Sequence, residues 1–369
     1  MSKVIHLVAG ARPNFMKLAP LVRALDARAG EIGYRIVHTG QHYDRDMSDV
    51  FFDELGIPAP HHHLGAGGGS HAQQTARIMI AFEELCQSQR PDAVLVVGDV
   101  NSTLACSIVA KKLCIPVAHV EAGLRSGDMA MPEEINRLVT DAISDWFFVT
   151  EPSGVAHLLK EGHDPSVVFH VGHVMADNVL YQRDLIARHP PTEGEVVDYK
   201  AAHPRYGVVT MHRPSNVDDA AVFGRIARAL CEVSRELPLV FPVHPRTRAN
   251  MERFGLDLGP GVTLMTPQSF MPFLHLWKDA TVVLTDSGGL QEETTALGVP
   301  CLTMRENTER PITADEGSNT VVGTDAARIV AEARKVLAGG SKQGRRPALW
   351  DGRAAERTVD ELIRLLAGH

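Results

Sequence analysis

Along the chain, short runs of Val, Ile, Leu and Phe alternate with stretches in which apolar residues recur every three or four positions. KVIHLVA from Lys3, YRIVHTG from Tyr34, DAVLVVG from Asp92, PVAHVEA from Pro116 and WFFVT from Trp146 are each followed by a helical pattern. Apolar runs of this length predict strands buried on both faces, and helices between them predict parallel order with helices covering the sheet. In the first helix Phe15, Leu18, Leu21, Val22 and Leu25 share one side, with Lys17, Arg23 and Asp26 elsewhere. In MPEEINRLVTD, Pro132 suits an early helical position and Ile135, Leu138, Val139 and Ile143 form the expected buried face. Glu133 and Arg137, four apart, share a face of that helix.

Between Arg188 and Arg205 the sequence becomes RHPPTEGEVVDYKAAHPR, rich in Pro and charge, as a crossing between domains would be. A second series follows: YGVVTM, LPLVFPVH, GVTLM, TVVLTD, VPCLTM and NTVVGT, with helical stretches such as AAVFGRIARALCEVSREL between most of them. The expected class is α/β, with two Rossmann-like doubly wound domains facing a central cleft at the C-terminal ends of their strands. The domains are placed at residues 1–185 and 200–350, with a last helix in 352–369 free to pack back on either half, the first included.

A chain of 369 residues is too long for one ordinary core and suits two. No window approaches the roughly 18 to 20 apolar residues of a membrane span, and MSKVIHLVAG runs into a strand without a signal-peptide layout, so no membrane partner and a cytoplasmic location are expected. The five cysteines, Cys86, Cys106, Cys114, Cys231 and Cys301, are odd in number and lack CxxC spacing, which favours buried thiols over disulfides or a metal site. A formal charge of -8 argues against nucleic acid as a partner, which needs clustered Lys and Arg. It leaves room for a small anion held by helix N-termini and a few arginines.

Candidate chemistry gathers at strand ends. In VVLTDSGGLQEE, Val282 to Glu293, a strand runs through a small turn, Ser287, Gly288 and Gly289, into a helix. Glycines admit an anion to the backbone, and the free N–H groups with the helix dipole favour a diphosphate; Glu292 and Glu293, a turn later, suit ribose hydroxyls. A Gly-rich turn with acidic residues stabilising the helix start is an equal alternative. In AGARPNFMK, Arg12 can fork onto a phosphate and Lys17 can act as a point charge, unless both are solvated surface cations. His212, Arg213, His244, Arg246 and Arg310 follow later strands, which points to a cleft rather than the outer surface. Asp99 and Glu121 end strands in the first half as acid or base candidates, although Asp99 also suits a helix N-cap. The Glu133/Arg137 pair alone reads as a solvated salt bridge and gains weight from the other strand-end groups. His61, His62 and His63 are adjacent, so they converge poorly on one ion, and no HExxH or Cys partner accompanies them; they read as loop. GAGGGS, Gly65 to Ser70, fails the dinucleotide fingerprint, so NAD is not supported.

The ordered set GARPNFMKLAPL, TGQHYD, GDVNST, HVEAGLRSGDMAMPEEINR, MHRPSN, PVHPR, LTDSGGLQEE and MRENTERP resembles the non-hydrolysing UDP-N-acetylglucosamine 2-epimerases over nearly the whole chain, Gly10 to Asp325. That resemblance implies a GT-B-like fold, a homodimer, a UDP-sugar substrate and no metal or nicotinamide cofactor. By motif it places Arg12, Ser287, Gly288, Gly289 and Arg310 near the diphosphate and Glu293 on the ribose. It places Lys17, Asp99, Glu121, Glu133, Arg137 and His212 around the sugar, with His244 also in the substrate-binding set. The interval from Glu121 to Glu133 is shorter than in enterobacterial-type members, which admits modified UDP-sugars such as a diacetamido uronic acid. Some members bind a second substrate molecule as activator; Gln41 and His244 of that pattern remain here, but Asp44 and the loop Gly65 to Gly69 replace the rest. A GT-B glycosyltransferase and a catalytically silent UDP-sugar-binding regulator are the alternatives of other classes.

Overall fold

The computed structural model describes residues 3–40 and 52–368, and of Arg12 the backbone alone; Gln41 and Asp44 lie outside the described residues. The chain forms two compact units, Met1–Asn178 with Ala348–His369, and Val179–Pro347.

The first unit holds a seven-stranded sheet in the order β3-β2-β1-β4-β5-β6-β7. The strands are β1 (Lys3–Ala9), β2 (Ile32–His38), β3 (His62–His63), β4 (Ala93–Val97), β5 (Val117–Val120), β6 (Trp146–Val149) and β7 (Val168–His170), and every pairing is parallel. All five apolar runs of the first series are strands. Both faces are covered: Val94, Val96 and Val117 pack with Ile78, Phe82, Cys106 and Val109 of the helices His71–Ser88 and Asn101–Lys112 in one cluster. Phe15, Leu18, Leu21, Val22 and Leu25 of the helix Arg12–Asp26 are all buried, as their spacing predicts. The helix Ala354–Ala367 packs on that helix, returning the C-terminal segment to the first unit.

The second unit holds six parallel strands in the order β10-β9-β8-β11-β12-β13. They are β8 (Gly207–Thr210), β9 (Leu239–Pro242), β10 (Val262–Met265), β11 (Val282–Thr285), β12 (Cys301–Thr303) and β13 (Asn319–Val321), matching all six runs of the second series. Val209, Leu239, Phe241 and Leu284 pack with Phe223, Ile226 and Leu230 of the helix Ala220–Val233 and with Ile329 and Ala333 of the helix Ala326–Leu337. Strand order reverses between β1 and β4 in one unit and between β8 and β11 in the other, and such switch points open a crevice at strand C-terminal ends.

His62 and His63 are not loop but a short edge strand paired with Val37 and His38; the exposed edge of β2 offers backbone groups that any residue can satisfy. His61 Nδ1 accepts the Ile36 N–H at 3.0 Å. Ser70, ending GAGGGS, caps the next helix by accepting the Gln73 N–H at 3.3 Å. The stretch between Arg188 and Arg205 contains a helix, Glu195–Ala202, anchored by buried Val196 and Tyr199. Of the cysteines, all free, Cys86, Cys106 and Cys301 are buried, Cys231 is half-buried and Cys114 is exposed. No helix among the described residues is long and apolar enough to cross a membrane.

The largest correction concerns the helix Pro132–Ile143. Its buried residues are Glu134, Asn136, Arg137, Thr140 and Asp141, whereas Ile135 and Val139 are 44% and 37% exposed. The helix turns its polar face inward because Asp99, Glu134 and His119 pair with Arg137 and Asp141 there.

Candidate active site

In the first unit the site begins where β1 and β4 end. Asn14 Oδ1 accepts the N–H groups of Gly10 and Ala11 at 3.2 and 3.0 Å, and its Nδ2 donates to the Val97 carbonyl at 3.1 Å, tying the first helix start to the end of β4. Gly98, at φ +69°, follows that strand; a Cβ there would lie 3.0 Å from Lys17 Nζ and 3.2 Å from Glu121 Oε2. Only glycine lets these side chains meet behind the turn. Lys17 and Glu121, both buried, form an ion pair. Glu121 itself sits at φ +67°, a left-handed conformation worth about 1–3 kcal/mol of strain for a side-chain-bearing residue. A buried charge pair is a poor source of stability, since desolvation offsets its attraction, so its presence at a strand end points to chemistry.

Asp99 does not cap the following helix, whose N-cap is Val100. Its Oδ2 instead accepts from Arg137 Nε and Nη2 at 3.1 and 2.7 Å, and its carbonyl accepts from Asn136 Nδ2 at 2.8 Å. The expected Glu133/Arg137 pair is replaced by its neighbour: Arg137 Nη1 donates to Glu134 Oε2 at 2.6 Å, while half-buried Glu133 has no ion-pair partner among the described residues. Glu134 also accepts the Ser126 and Gly127 N–H groups at 2.9 and 3.0 Å. Burial pushes its carboxyl up, but those two N–H groups and Arg137 outweigh burial and hold it below the usual carboxylate range. The spacing of Glu134 and Arg137, three apart, was the available signal for this pair.

Beneath the turn, His119 Nδ1 lies 2.6 Å from Asp141 Oδ1 and His119 Nε2 lies 2.9 Å from the Gly98 carbonyl oxygen, with both side chains wholly buried. Asp141 Oδ2 accepts from Gly123 N at 3.0 Å and pairs with Arg125 at 2.7 Å. Burial raises the Asp141 carboxyl, yet His119 and Arg125 bring it below its ordinary value. Two residues of HVEAGLR thus fasten the turns that carry Asp99 and Glu121.

In the second unit, Asp286 at the end of β11 is wholly buried and receives the His212 N–H at 3.1 Å, the Arg213 N–H at 2.9 Å and Asn216 Nδ2 at 3.3 Å. It fixes the loop after β8 beside the DSGG turn, a role not apparent in its motif. His212 Nδ1 lies 3.3 Å from Asp286 Oδ1, and its side chain is 51% exposed. Ser287 is the N-cap of the helix Gly288–Leu297, with its hydroxyl not used as a cap and its N–H donated to Thr285 Oγ1 at 2.9 Å. Among the described residues, a Cβ on Gly289 would meet no atom within 4 Å, and one on Gly288 only Glu309 and Arg213 at 3.7 and 3.9 Å. Nothing among the described residues requires glycine at these two positions, which leaves the helix start open to an approaching group.

One turn on, Glu292 pairs with Arg310 at 2.5 Å. Glu293 is buried beside it, and burial first, then the Glu292 charge, push its carboxyl up to about 8. Its folded value exceeds the unfolded 4.5, so the stability it contributes is full below pH 4.5 and is lost as the pH rises through about 8. Glu293→Gln should therefore flatten the decline in unfolding free energy between these limits, measured by urea denaturation across pH; an unchanged slope would exclude Glu293 as its source. His244 caps the helix Pro245–Phe254, accepting the Arg246 N–H at 3.4 Å. Arg246 is not held in a crevice: it is exposed and paired with Asp218. The Arg12 side chain lies outside the described residues, and its backbone opens the helix Arg12–Asp26.

The structure therefore gathers Lys17, Asp99, Glu121 and Arg137 at one switch point. It gathers His212, Ser287, Gly288 and Gly289 at the other, with Glu293 and Arg310 close behind. Two Rossmann-like α/β units, each built on parallel strands and with polar groups at its switch point, define the GT-B-like class. The model of the UDP-N-acetylglucosamine 2-epimerase family matches residues 23–363. A UDP-N-acetylglucosamine 2-epimerase of Methanocaldococcus jannaschii is 37% identical over 361 residues, 96% of this chain and 97% of that one. A UDP-2,3-diacetamido-2,3-dideoxy-D-glucuronate 2-epimerase of Pseudomonas aeruginosa is 38% identical over 364 residues, 98% of this chain and 99% of that one. The crystal structure of the M. jannaschii enzyme in complex with UDP-GlcNAc and UDP superposes with a TM-score of 0.84 at 36% identity, covering 98% of this chain and 99% of that one. The chain belongs to the UDP-N-acetylglucosamine 2-epimerase family, a family of isomerases.

Proposed function

We propose that this protein converts UDP-N-acetylglucosamine to UDP-N-acetylmannosamine by eliminating UDP to a glycal and adding it back. The observation that carries this reading is the buried Lys17/Glu121 pair beside Asp99 and Arg137 at the first switch point, in a chain of this family. The hydrogen on carbon 2 of such a sugar has no neighbouring carbonyl to make it acidic, so simple proton abstraction does not suffice. A carboxylate removes that proton while the bond from carbon 1 to the diphosphate oxygen breaks and its electron pair leaves with UDP, giving the glycal. Protonation of carbon 2 from the other face and return of UDP to carbon 1 complete the inversion. Along this route the base and the departing UDP take the proton and the electron pair, so no step calls for a hydride acceptor.

Asp99, Glu121 and Glu133 carry the proton transfers, and Lys17, Arg137 and His212 polarise the sugar and leaving group. Ser287, Gly288 and Gly289 hold the diphosphate with Arg12 and Arg310, Glu293 takes the ribose, and His244 completes the substrate-binding set. A modified sugar is the second reading, favoured by the diacetamido-glucuronate relative, which matches as closely as the acetylglucosamine ones. Incubation in heavy water with a panel of UDP-sugars decides: epimer carrying deuterium at carbon 2 is expected, and the best substrate names the sugar. Acceptor-dependent transfer without exchange would establish a glycosyltransferase instead, and tight UDP binding without turnover a regulator. A cytoplasmic location and supply of sugar for polysaccharide synthesis fit a nucleotide-sugar substrate. The outward Ile135 and Val139 suit a homodimer, which light scattering would report as twice the chain mass.

A further inference from the structure

His173, 1% exposed, lies between β7 and the helix Val174–Arg188 and is absent from the strand-end set assembled above. Its Nδ1 accepts the Met175 N–H at 3.1 Å. A ring nitrogen that accepts carries no proton, so the neutral ring bears its hydrogen on Nε2. That nitrogen faces Glu121 Oε1 at 4.0 Å, while Lys17 holds Oε2. The two oxygens of one carboxylate are thus addressed by donors from different parts of the first unit.

The ring is fixed from behind by the returning C-terminal segment. Trp350, also 1% exposed, meets His173 edge to face, with centroids 4.6 Å apart and planes at 84°. Its indole N–H donates to the Thr150 carbonyl at 3.3 Å. Next to His173, Gly172 is at φ +92°, and a Cβ there would lie 2.0 Å from the Leu349 carbonyl oxygen. The backbones of Gly172 and Leu349 are therefore in direct contact, and this contact sets where the histidine stands.

We propose that His173 is a positioning residue for Glu121: its Nε2–H orients the carboxylate for proton transfer at carbon 2, and Trp350 holds the ring in place. The proposal rests on the role given to Glu121 above. A separation of 4.0 Å is closed by a small rotation of the carboxylate, and catalytic hydrogen bonds often tighten only in the substrate complex. A core histidine kept for packing alone would need its ring but not its Nε2–H.

The two roles separate in variants of the full chain. His173→Phe keeps an aromatic ring against Trp350 and removes the donor; His173→Gln supplies an N–H of similar reach. We expect His173→Phe to lower kcat about 10- to 100-fold, as small misplacements of reacting groups do. KM should stay within about twofold, and His173→Gln should recover part of the lost kcat. In the wild-type chain, 15N spectra of labelled histidine should show His173 protonated at Nε2 and not at Nδ1. Wild-type kcat in His173→Phe overturns the proposal, as do equal losses in both variants or a proton on Nδ1. A wild-type chain that gives neither epimer nor carbon-2 exchange with any sugar of the panel overturns the functional reading, and this proposal with it.

Discussion

Glu121→Gln is expected to lower kcat by about 10²- to 10⁴-fold, the usual scale for losing a positioned acid or base. Glutamine preserves the shape and an oxygen for Lys17 but cannot take a proton, so the loss should fall on epimerisation and on carbon-2 exchange alike. Lys17 keeps only 11% of its side chain exposed and loses its counter-charge in this variant. Breaking a buried pair costs about 3–5 kcal/mol, so a fall in stability is expected as well. UDP affinity, which in this scheme depends on Arg12 and the second unit and not on Glu121, should hold; titration with UDP measures it, and thermal unfolding shows whether enough protein is folded for the kinetic comparison. Retention of kcat within a factor of about ten would remove Glu121 from the proton transfer.

Arg310→Ala is the second large effect. Arg310 neutralises Glu292, which is 4% exposed, and stands one helical turn from the DSGG start. If the diphosphate is the leaving group, its charge grows as the bond to carbon 1 breaks, and a cation there acts more strongly on the transition state than on bound substrate. A loss of about 10²- to 10³-fold in kcat is expected, with a smaller rise in KM. Arg310→Lys restores the charge but not the planar fork, so it should recover only part. Ser287→Ala, which leaves the ion pair with Glu292 intact, should show the same pattern more weakly. A change confined to KM in all three variants would reduce this turn to a binding element without a share in catalysis.

The strands were legible because parallel strands buried on both faces leave uninterrupted Val- and Leu-rich runs, and all eleven such runs are strands in the structure. What the pattern could not convey was partnership. In the helix Pro132–Ile143 the periodicity of Ile135, Leu138, Val139 and Ile143 is genuine, yet Arg137 and Asp141 face inward because Asp99, Glu134, His119 and Gly123 receive them. Hydrophobic periodicity assumes that polar groups prefer water, which fails where folded partners replace water fully. The choice of ion pair was hidden for the same reason: Arg137 pairs with Glu134 rather than Glu133, and acidic neighbours on one helix differ only in which meets its partner. The role of Asp286 had no sequence signature, because its carboxylate fixes the loop after β8 through that loop's backbone N–H groups, which any residues there would offer. The pairing of His62 and His63 had no side-chain signature, because an edge strand is recruited through its backbone.

The return of Ala348–His369 to the first unit has a consequence for the order of folding. On the ribosome the seven strands of that unit emerge before the helix Ala354–Ala367 that packs on Arg12–Asp26, and about 170 residues of the second unit intervene. At ordinary elongation speed that gap lasts on the order of ten to thirty seconds, far longer than a small domain needs to fold. The second unit can thus be complete while the first still exposes the apolar face its last helix will cover, and nascent chains should be most vulnerable to aggregation in that interval.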